Sequence, residues 1–138
     1  MDPISDMLTR IRNAYARGKK TTLVPHSKFK HAVLLALVKY GYLRKLETSE
    51  EETSPDGKSG REGKKTIKVF LKYQDGKPAA QVLKRISKPG QRIYSGSNKV
   101  GRFSSRRALV LVSTSKGILP HWEAKKQKAG GEVLCVVY

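Results

Sequence analysis

Hydrophobic positions recur along the chain at two different periods, which predict helices in some segments and strands in others. Apolar residues spaced three or four apart open the chain and recur in its second segment, so two amphipathic helices are expected. Pro3 suits the start of the first helix and Gly18 its end. Ser27 is a preferred N-cap for the second helix, which Gly41 ends.

Period-two alternation is clearest at residues 66–73, where apolar and polar side chains alternate as in a half-buried strand. Residues 108–112 are apolar throughout, which is typical of a central, fully buried strand. Shorter signals predict further strands and one short helix before a Gly-Gly turn. These strands are expected at residues 21–24, 42–47, 82–87, 92–95 and 132–138, and the helix at 122–128.

The chain has 138 residues, enough for one ordinary domain or for two very small ones packed together. The polar turn segment Gln-Asp-Gly-Lys-Pro at residues 74–78 is the best boundary between them. We therefore predict an α+β fold of two small α/β-sandwich-like sub-domains. Residues 1–75 would form an N-terminal α+β domain. Residues 76–138 would form a C-terminal domain, mostly antiparallel sheet with the short helix.

Charge is the feature of the composition that bears most on function. There are 29 Lys and Arg against 11 Asp and Glu, which gives a net charge of +18. A compact domain with this charge repels itself, so a polyanionic partner is expected, with nucleic acid as the leading candidate. An anionic membrane surface is the alternative, but it would require a basic amphipathic helix with bulky apolar residues opposite. No apolar run approaches a membrane span and no signal or transit pattern opens the chain, so a cytoplasmic protein is expected.

The positive charge is concentrated in the second half of the chain. Residues 76–138 carry 13 basic and 2 acidic side chains, and residues 76–122 carry no acid at all. Few internal ion pairs can form there, so these cations are expected to face a partner outside the protein. Five of the acids lie instead in a polar segment at residues 48–63, which is typical of a hairpin loop and is expected to point away from the polyanion.

Catalysis has little support in the sequence. The three histidines have no spacing typical of metal ligands or of a triad, and the single cysteine, Cys135, excludes an intramolecular disulfide and Cys-based zinc sites. Glu123 and Glu132, the two acids of the basic half, flank the Gly-Gly turn and indicate no acid–base pair. No enzyme activity, cofactor or metal is therefore expected. The alternative class is a nucleic-acid-dependent enzyme or a basic chaperone without a fixed site.

The Ser-Thr-Ser-Lys-Gly segment at residues 113–117 is the one most suited to binding nucleic acid. Three hydroxyls, one ammonium and a glycine that permits close backbone approach suit a sugar–phosphate surface. The flanking pattern of a Walker A loop is absent, and the alternative is an ordinary serine-rich turn. Hydroxyls can read the 2′-hydroxyls that double-stranded RNA displays in its shallow groove. Structured RNA is therefore favoured over a stacked single strand.

Two further groups of polar residues lie on the predicted helices. Arg12 and Asn13 belong to the polar side of the first helix, for which a solvated face is the alternative. Lys28 and Lys30 occupy the first turn of the second helix, where the helix dipole disfavours cations. A phosphate bound there would be stabilised by both lysines and by the free amides of the helix.

Several blocks of the sequence resemble the bacterial family of small-subunit ribosomal protein number eight. Each block alone is a weak signal, but they recur in family order over nearly the whole chain and together are highly specific. The blocks are residues 2–14, 24–30, 85–94 and 113–117, then Glu123-Ala124, then the Gly-Gly-Glu-Val-Leu-Cys of residues 130–135.

The resemblance implies a structural constituent of the ribosome, a primary binder of the central domain of small-subunit ribosomal RNA that supports platform assembly. It also implies neighbouring small-subunit ribosomal proteins as partners and, as in some family members, repression of the operon messenger RNA by binding it. In the family, the second half supplies most RNA contacts, through the Ser-Thr-Ser-Lys-Gly loop and neighbouring strands. With the helix residues above, the candidate RNA-binding residues are Arg12, Asn13, Lys28, Lys30, Lys88, Arg92, Tyr94, Ser113, Thr114, Ser115, Lys116, Gly117 and Glu132.

The sequence departs from the family ahead of its last helix. The family usually has Thr or Ser and then Asp at this point, whereas this chain has Pro120-His121-Trp122. The usual side-chain cap of the helix is therefore expected to be missing. Arg106 and Arg107 also replace a glycine-rich approach to the central strand.

Glu132 is the least expected residue at a surface that binds a polyanion. Gly130 and Gly131, directly before it, permit a close backbone approach or a positive φ. We predict that Glu132 orients Lys116 or an arginine and accepts hydrogen bonds from the hydroxyls of residues 113–117, so that the site is preformed. The alternative is a strand-edge carboxylate exposed to water.

Overall fold

The computed structural model describes residues 3–50, 65–97, 99 and 108–138, and it confirms the α+β fold class. Three helices and ten strands lie within these residues. In chain order they are α1 (Pro3–Ala16), β1 (Thr21–Pro25), α2 (Lys28–Lys39), β2 (Leu43–Glu50), β3 (Lys65–Leu71), β4 (Tyr73–Gln74), β5 (Lys77–Pro78), β6 (Leu83–Arg85), β7 (Tyr94–Ser95), β8 (Leu109–Thr114), β9 (Gly117–Pro120), α3 (His121–Lys126) and β10 (Gly131–Val137).

Both N-terminal helices form where the spacing of apolar residues predicts them. The inward side of α1 includes Ile4, Leu8 and Ile11, all buried. Ser27 is the N-cap of α2, as predicted, because its hydroxyl accepts a hydrogen bond from Lys30 N at 3.1 Å. The local sequence therefore sets both the face that α1 buries and the residue at which α2 begins.

Strands β1, β3 and β2 form an antiparallel three-stranded sheet in that order. In the central strand β3, Ile67 and Val69 are buried, as the alternation predicts. The loop predicted at residues 48–63 is partly wrong, because β2 continues to Glu50. Thr48 and Ser49 pair with β3, where a hydroxyl–hydroxyl contact of 3.1 Å joins Ser49 to Thr66 across the strands. The acidic remainder of that loop, and with it the predicted direction of the loop, lies outside the described residues.

The second sheet is antiparallel and has β10 and β8 at its centre. Strands β6 and β7 both pair with one side of β10, β8 pairs with its other side, and β9 pairs with β8. Strand β9 was not predicted, since Gly117 and Pro120 at its ends are typical turn residues. Ile118 and Leu119 between them nevertheless pair with β8. The predicted Arg106-Arg107 approach to β8 lies outside the described residues.

Two hydrophobic clusters hold these elements together. The larger one contains buried side chains from both sheets and both long helices, among them Met7, Ile67 and Leu111. The smaller one lies between α3 and the other face of the second sheet, where Ala124 packs near Val112. The larger cluster therefore joins the two halves of the chain, and a domain division at residues 75 and 76 stays a prediction.

Helix α3 begins without a side-chain cap, as the departure from the family predicts. Pro120 at the N-cap makes no side-chain hydrogen bond. His121, the first residue of the helix, instead accepts a hydrogen bond at Nδ1 from Val110 N, at 3.2 Å. Burial lowers the pKa of His121 below its usual value, because desolvation disfavours the imidazolium form. Neutral His121 therefore fastens α3 to β8.

We expect part of the pH dependence of stability to arise from His121. Its pKa is near 6.5 in the unfolded chain and lower in the folded protein, so the unfolded state binds more protons below pH 6.5. The contribution to the free energy of unfolding is complete above pH 6.5 and is lost as the pH falls through the folded pKa. Denaturant unfolding of His121→Asn, whose side-chain oxygen can accept the same bond, should show a flatter pH dependence than the wild type. Equal slopes in the two proteins would contradict this assignment.

Candidate RNA-binding site

The Ser-Thr-Ser-Lys-Gly segment forms the end of the β8–β9 hairpin rather than an open loop. Thr114 pairs with Gly117, and Ser115 and Lys116 are the two exposed turn residues between them. The Thr114 hydroxyl donates to Gly117 O at 2.8 Å and accepts from Lys116 N at 3.1 Å, so it is used within the turn. Lys116 Nζ lies 3.5 Å from Gln127 O, at the end of α3. The hairpin therefore presents one hydroxyl and one ammonium at its tip.

The predicted close backbone approach at Gly130 and Gly131 is present. A Cβ atom on Gly131 would lie 2.0 Å from Ser113 O, and one on Gly130 would lie 2.7 Å from Ser95 O. Neither glycine has a positive φ, so close approach and not backbone conformation is what requires them. The glycine pair thus packs three segments together at one end of the sheet, which we call the hairpin end: residues 94–97, 113–117 and 130–132.

One row of paired residues crosses the sheet at the hairpin end. Glu132 in β10 lies opposite Ser113 on one side and opposite Tyr94 on the other. Residues directly opposite in antiparallel strands place their side chains on the same face. Tyr94 is 67% exposed, the largest fraction among the large hydrophobic residues that the structure describes. The row therefore places an exposed aromatic ring on the same face as a serine and a carboxylate.

Glu132 is tied into the fold by a buried serine and an arginine. Ser87 Oγ donates to Glu132 Oε1 at 2.7 Å and accepts from Ile93 N at 3.1 Å. Arg92 Nη1 lies 3.2 Å from each carboxylate oxygen of Glu132. Ser87 is fully buried, whereas the Arg92 side chain is 55% exposed. The carboxylate therefore fixes the turn of residues 87–93 against the sheet, and the Arg92 guanidinium compensates its negative charge.

The predicted partners of Glu132 are correct in one part and wrong in the other. An arginine, Arg92, is held by the carboxylate as predicted. The hydroxyl that donates to it belongs to Ser87 and not to residues 113–117, and Lys116 contacts Gln127 O instead. The reason is that Ser87 lies at the start of a separate tight turn. Strand β10 separates this turn from the β8–β9 hairpin. A serine directly before a Lys-Pro-Gly turn indicates a hydroxyl that can bond within the turn, but no local pattern pairs it with Glu132.

Lys88 belongs to the same tight turn as Ser87. Its backbone N and O both bond to Gln91, at 3.1 and 3.0 Å, with Pro89 and Gly90 between them. The side chain of Lys88 is exposed. The turn therefore places Lys88 at the surface close to Arg92, as a binding role requires.

A cleft of about 280 Å³ lies between the start of α2 and the Glu132–Arg92 pair. Ser27 and Lys30 line it from the first half of the chain, and Arg92 and Glu132 line it from the second. Lys30 Nζ lies 3.4 Å from Pro25 O, on the same side of the helix start. The structure thus brings Lys30 together with the basic second half, while Lys28 is exposed and does not line the cleft.

Arg12 lies at the other end of the second sheet. Its guanidinium donates to Leu83 O, which ties α1 to β6. Leu83 is opposite Val137, five residues along β10 from Glu132, so about 17 Å separates the two positions. Asn13, the next residue of α1, is exposed. The structure therefore does not bring Arg12 together with the hairpin end and assigns it a contact within the fold.

Groups suited to catalysis are scarce among the described residues. No cluster of three or more His, Cys, Asp and Glu side chains that could hold a metal ion occurs there. Cys135 is fully buried, and burial raises the pKa of its thiol to about 12, so it is a neutral core side chain, as predicted. Within the same residues no helix is long and apolar enough to cross a membrane.

Comparison with known proteins places the chain in a family. A family model described as ribosomal protein S8 matches residues 2–138. Proteins named small ribosomal subunit protein uS8 are similar over nearly their whole length. The one from Persephonella marina is 43% identical, with 99% of this chain and 98% of that protein covered. Those from Ruegeria sp. (strain TM1040) and Anaplasma phagocytophilum are 41% and 43% identical, with 99% of this chain and 98% and 97% of those proteins covered.

The matched family consists of structural proteins of the small ribosomal subunit and not of enzymes. The match includes the hairpin, the glycine pair and Glu132, because it runs from one end of the chain to the other. The resemblance inferred from scattered blocks is therefore confirmed. The chain belongs to the ribosomal protein S8 family.

Proposed function

We propose that this protein binds the central domain of small-subunit ribosomal RNA directly and supports platform assembly through the hairpin end of the second sheet. The observation that carries the proposal is the close approach at Gly130 and Gly131. It brings the exposed tip residues Ser115 and Lys116 and the exposed ring of Tyr94 to one end of a sheet in the acid-poor half of the chain.

The exposed groups at the hairpin end match what an RNA helix displays. The shallow groove of A-form RNA presents 2′-hydroxyls and is lined by phosphates. Ser115 can donate to or accept from a 2′-hydroxyl, and Lys116 can contact a phosphate as a point charge. Glu132 adds no uncompensated negative charge, since Arg92 is paired with it. Lys88 extends the positive surface beyond the hairpin.

The cleft at the start of α2 supports a contribution from the first half of the chain. Lys30 lines it together with Arg92, and Lys28 lies on the same first turn. We infer that these lysines contact the RNA backbone while the hairpin end contacts the groove. Such phosphate contacts position a protein on RNA without reading its sequence.

The family resemblance supports two further partners. Neighbouring small-subunit ribosomal proteins are expected around a ribosomal protein in the cytoplasm. A messenger RNA that folds into the same structured motif would bind the same surface, so repression of the operon messenger would follow from the one site. We propose this second role as a consequence of the first.

The proposal is tested by binding to a central-domain fragment of small-subunit ribosomal RNA and to an arbitrary duplex of equal length. Affinity for the ribosomal fragment should exceed that for the duplex by about a thousandfold or more, and both should fall steeply with salt. Equal affinity for the two RNAs would contradict a specific ribosomal site.

The two tip residues should have separable effects in the same assay. Ser115→Ala is expected to lower the affinity for the ribosomal fragment about threefold to fivefold and to change the affinity for the arbitrary duplex little. It removes a hydrogen bond and leaves the charge intact. Lys116→Ala should lower the affinity for both RNAs and reduce the slope of log affinity against log salt concentration by about one. Thr114→Ser keeps the hydroxyl used within the turn and serves as the matched control. Indistinguishable selectivity and salt profiles for the first two variants would contradict these roles.

A further inference from the structure

An exposed tryptophan lies on α3, away from the row of residues at the hairpin end. Trp122 is 44% exposed. Its ring lies 5.1 Å from the ring of Tyr40 at 90° and 5.0 Å from that of His121 at 78°. Two edge-to-face contacts of this kind hold an aromatic ring in one orientation. Trp122 is therefore both fixed in place and open to solvent.

Lysines follow Trp122 along α3, and another lies beside its partner ring Tyr40. Lys125 and Lys126 follow Trp122 by three and four residues, which places them on the same side of α3, and both are exposed. Lys39 Nζ lies 5.5 Å from the centre of the Tyr40 ring that contacts Trp122. The nearby carboxylate, Glu123, accepts a hydrogen bond from Gln127 Nε2 at 3.4 Å. We call Trp122, Tyr40, Lys39, Lys125 and Lys126 the tryptophan platform.

We propose that the tryptophan platform binds an unpaired RNA base, which stacks on Trp122 while the three lysines contact the flanking phosphates. The proposal rests on the RNA-binding function proposed above and extends it to a second contact. An aromatic ring beside cations is the arrangement that single-stranded nucleic acid prefers. A protein partner is disfavoured, because lysine is depleted from the cores of protein–protein interfaces.

The distance between the two surfaces allows one RNA molecule to reach both. Lys116 at the hairpin tip contacts Gln127 O, and Trp122 lies five residues earlier along α3. At about 1.5 Å per helical residue this is about 8 Å along the helix axis. Nucleotides in a strand rise about 3.4 Å each, so two or three of them cover that distance. An unpaired nucleotide beside the helix held by the hairpin is therefore within reach of Trp122.

The chain contains one tryptophan, so tryptophan fluorescence reports on the platform alone. In the full-length protein, titration with the central-domain ribosomal RNA fragment should quench Trp122 emission and protect it from acrylamide. A single-stranded oligoadenylate of about ten nucleotides should do the same at higher concentration. A fully paired duplex should bind with little quenching, because it offers no free base.

Substitutions separate stacking from charge. Trp122→Ala should weaken binding of the ribosomal fragment about fivefold to a hundredfold, while Trp122→Phe, which keeps an aromatic face, should retain most of the affinity. Lys125→Gln with Lys126→Gln should lower the salt slope by about two. Unfolding curves of each variant show whether a loss of RNA affinity results from lower stability. The quenching measurement uses the wild type and is independent of any substitution.

The outcomes distinguish this proposal from the function on which it rests. Specific binding of the ribosomal fragment without quenching, and with equal affinity for wild type and Trp122→Ala, would overturn the platform and leave the hairpin end intact. Absence of specific RNA binding by the wild type would overturn the proposed function, and the platform with it. Quenching together with Phe rescue would support both.

Discussion

Gly131→Ala is expected to be among the most damaging single substitutions in the chain. The added Cβ would lie 2.0 Å from Ser113 O, far inside van der Waals contact, and its three nearest neighbours are backbone atoms of β8 rather than a flexible side chain. Relieving the clash requires β8 and β10 to separate where they pair with each other. We expect a loss of about 3 kcal/mol in the free energy of unfolding, together with loss of RNA binding.

Gly90→Ala is the matched control for this substitution. Gly90 lies in the Pro-Gly turn, no atom beyond its two chain neighbours lies within 4 Å of its added Cβ, and its φ is not positive. Denaturant unfolding of both variants, followed by RNA titration, should show a large loss for Gly131→Ala and little change for Gly90→Ala. A Gly131→Ala protein with wild-type stability and affinity would contradict the close approach on which the site depends.

Glu132→Gln is expected to weaken RNA binding although it removes a negative charge from a surface that binds a polyanion. The amide retains an acceptor for Ser87 but loses the charge that holds Arg92. The turn of residues 87–93, with Lys88 and Arg92 on it, would then be held less firmly in its binding position. We expect about a tenfold loss of affinity, since hydrogen bonds to charged groups contribute about 1.5 kcal/mol or more.

Glu123→Gln separates this effect from simple electrostatics. Glu123 is the other acid of residues 76–138, and among the described residues its carboxylate contacts Gln127 and forms no ion pair. If net charge alone governed binding, both variants would bind RNA more tightly. The structure predicts opposite signs, with Glu123→Gln neutral or slightly tighter and Glu132→Gln weaker. Tighter binding by Glu132→Gln with unchanged thermal stability would exclude the orienting role.

Local sequence patterns predicted most of the elements because those elements depend on neighbouring residues. Ser27 caps α2 and the alternation in β3 buries every second side chain, and both follow from spacing alone. Strand β9 was missed because its stability comes from pairing with β8 and not from its own four residues. A strand bounded by Gly117 and Pro120 carries no strong signal without its partner.

The contiguous parts of the candidate site were predictable from the sequence, and its long-range contacts were not. The hairpin tip and the glycine pair are contiguous segments with recognisable chemistry, so the sequence points to them. The role of Ser87 depends on Glu132, 45 residues away, and on the pairing that brings β10 beside its turn. Arg12 lies on the polar side of α1, as predicted, but its partner is a carbonyl 71 residues away. Contacts of this range are set by the assembled sheet and not by local pattern.

The central claim, that the hairpin end is the surface that binds ribosomal RNA, is tested most directly by amide chemical-shift mapping. The full-length protein would be titrated with the central-domain fragment and followed residue by residue. The largest shifts should fall on residues 94–97, 113–117 and 130–132, with smaller ones at Lys28 and Lys30. Shifts confined to the exposed face of the three-stranded sheet, with the hairpin end unchanged at saturation, would contradict the claim.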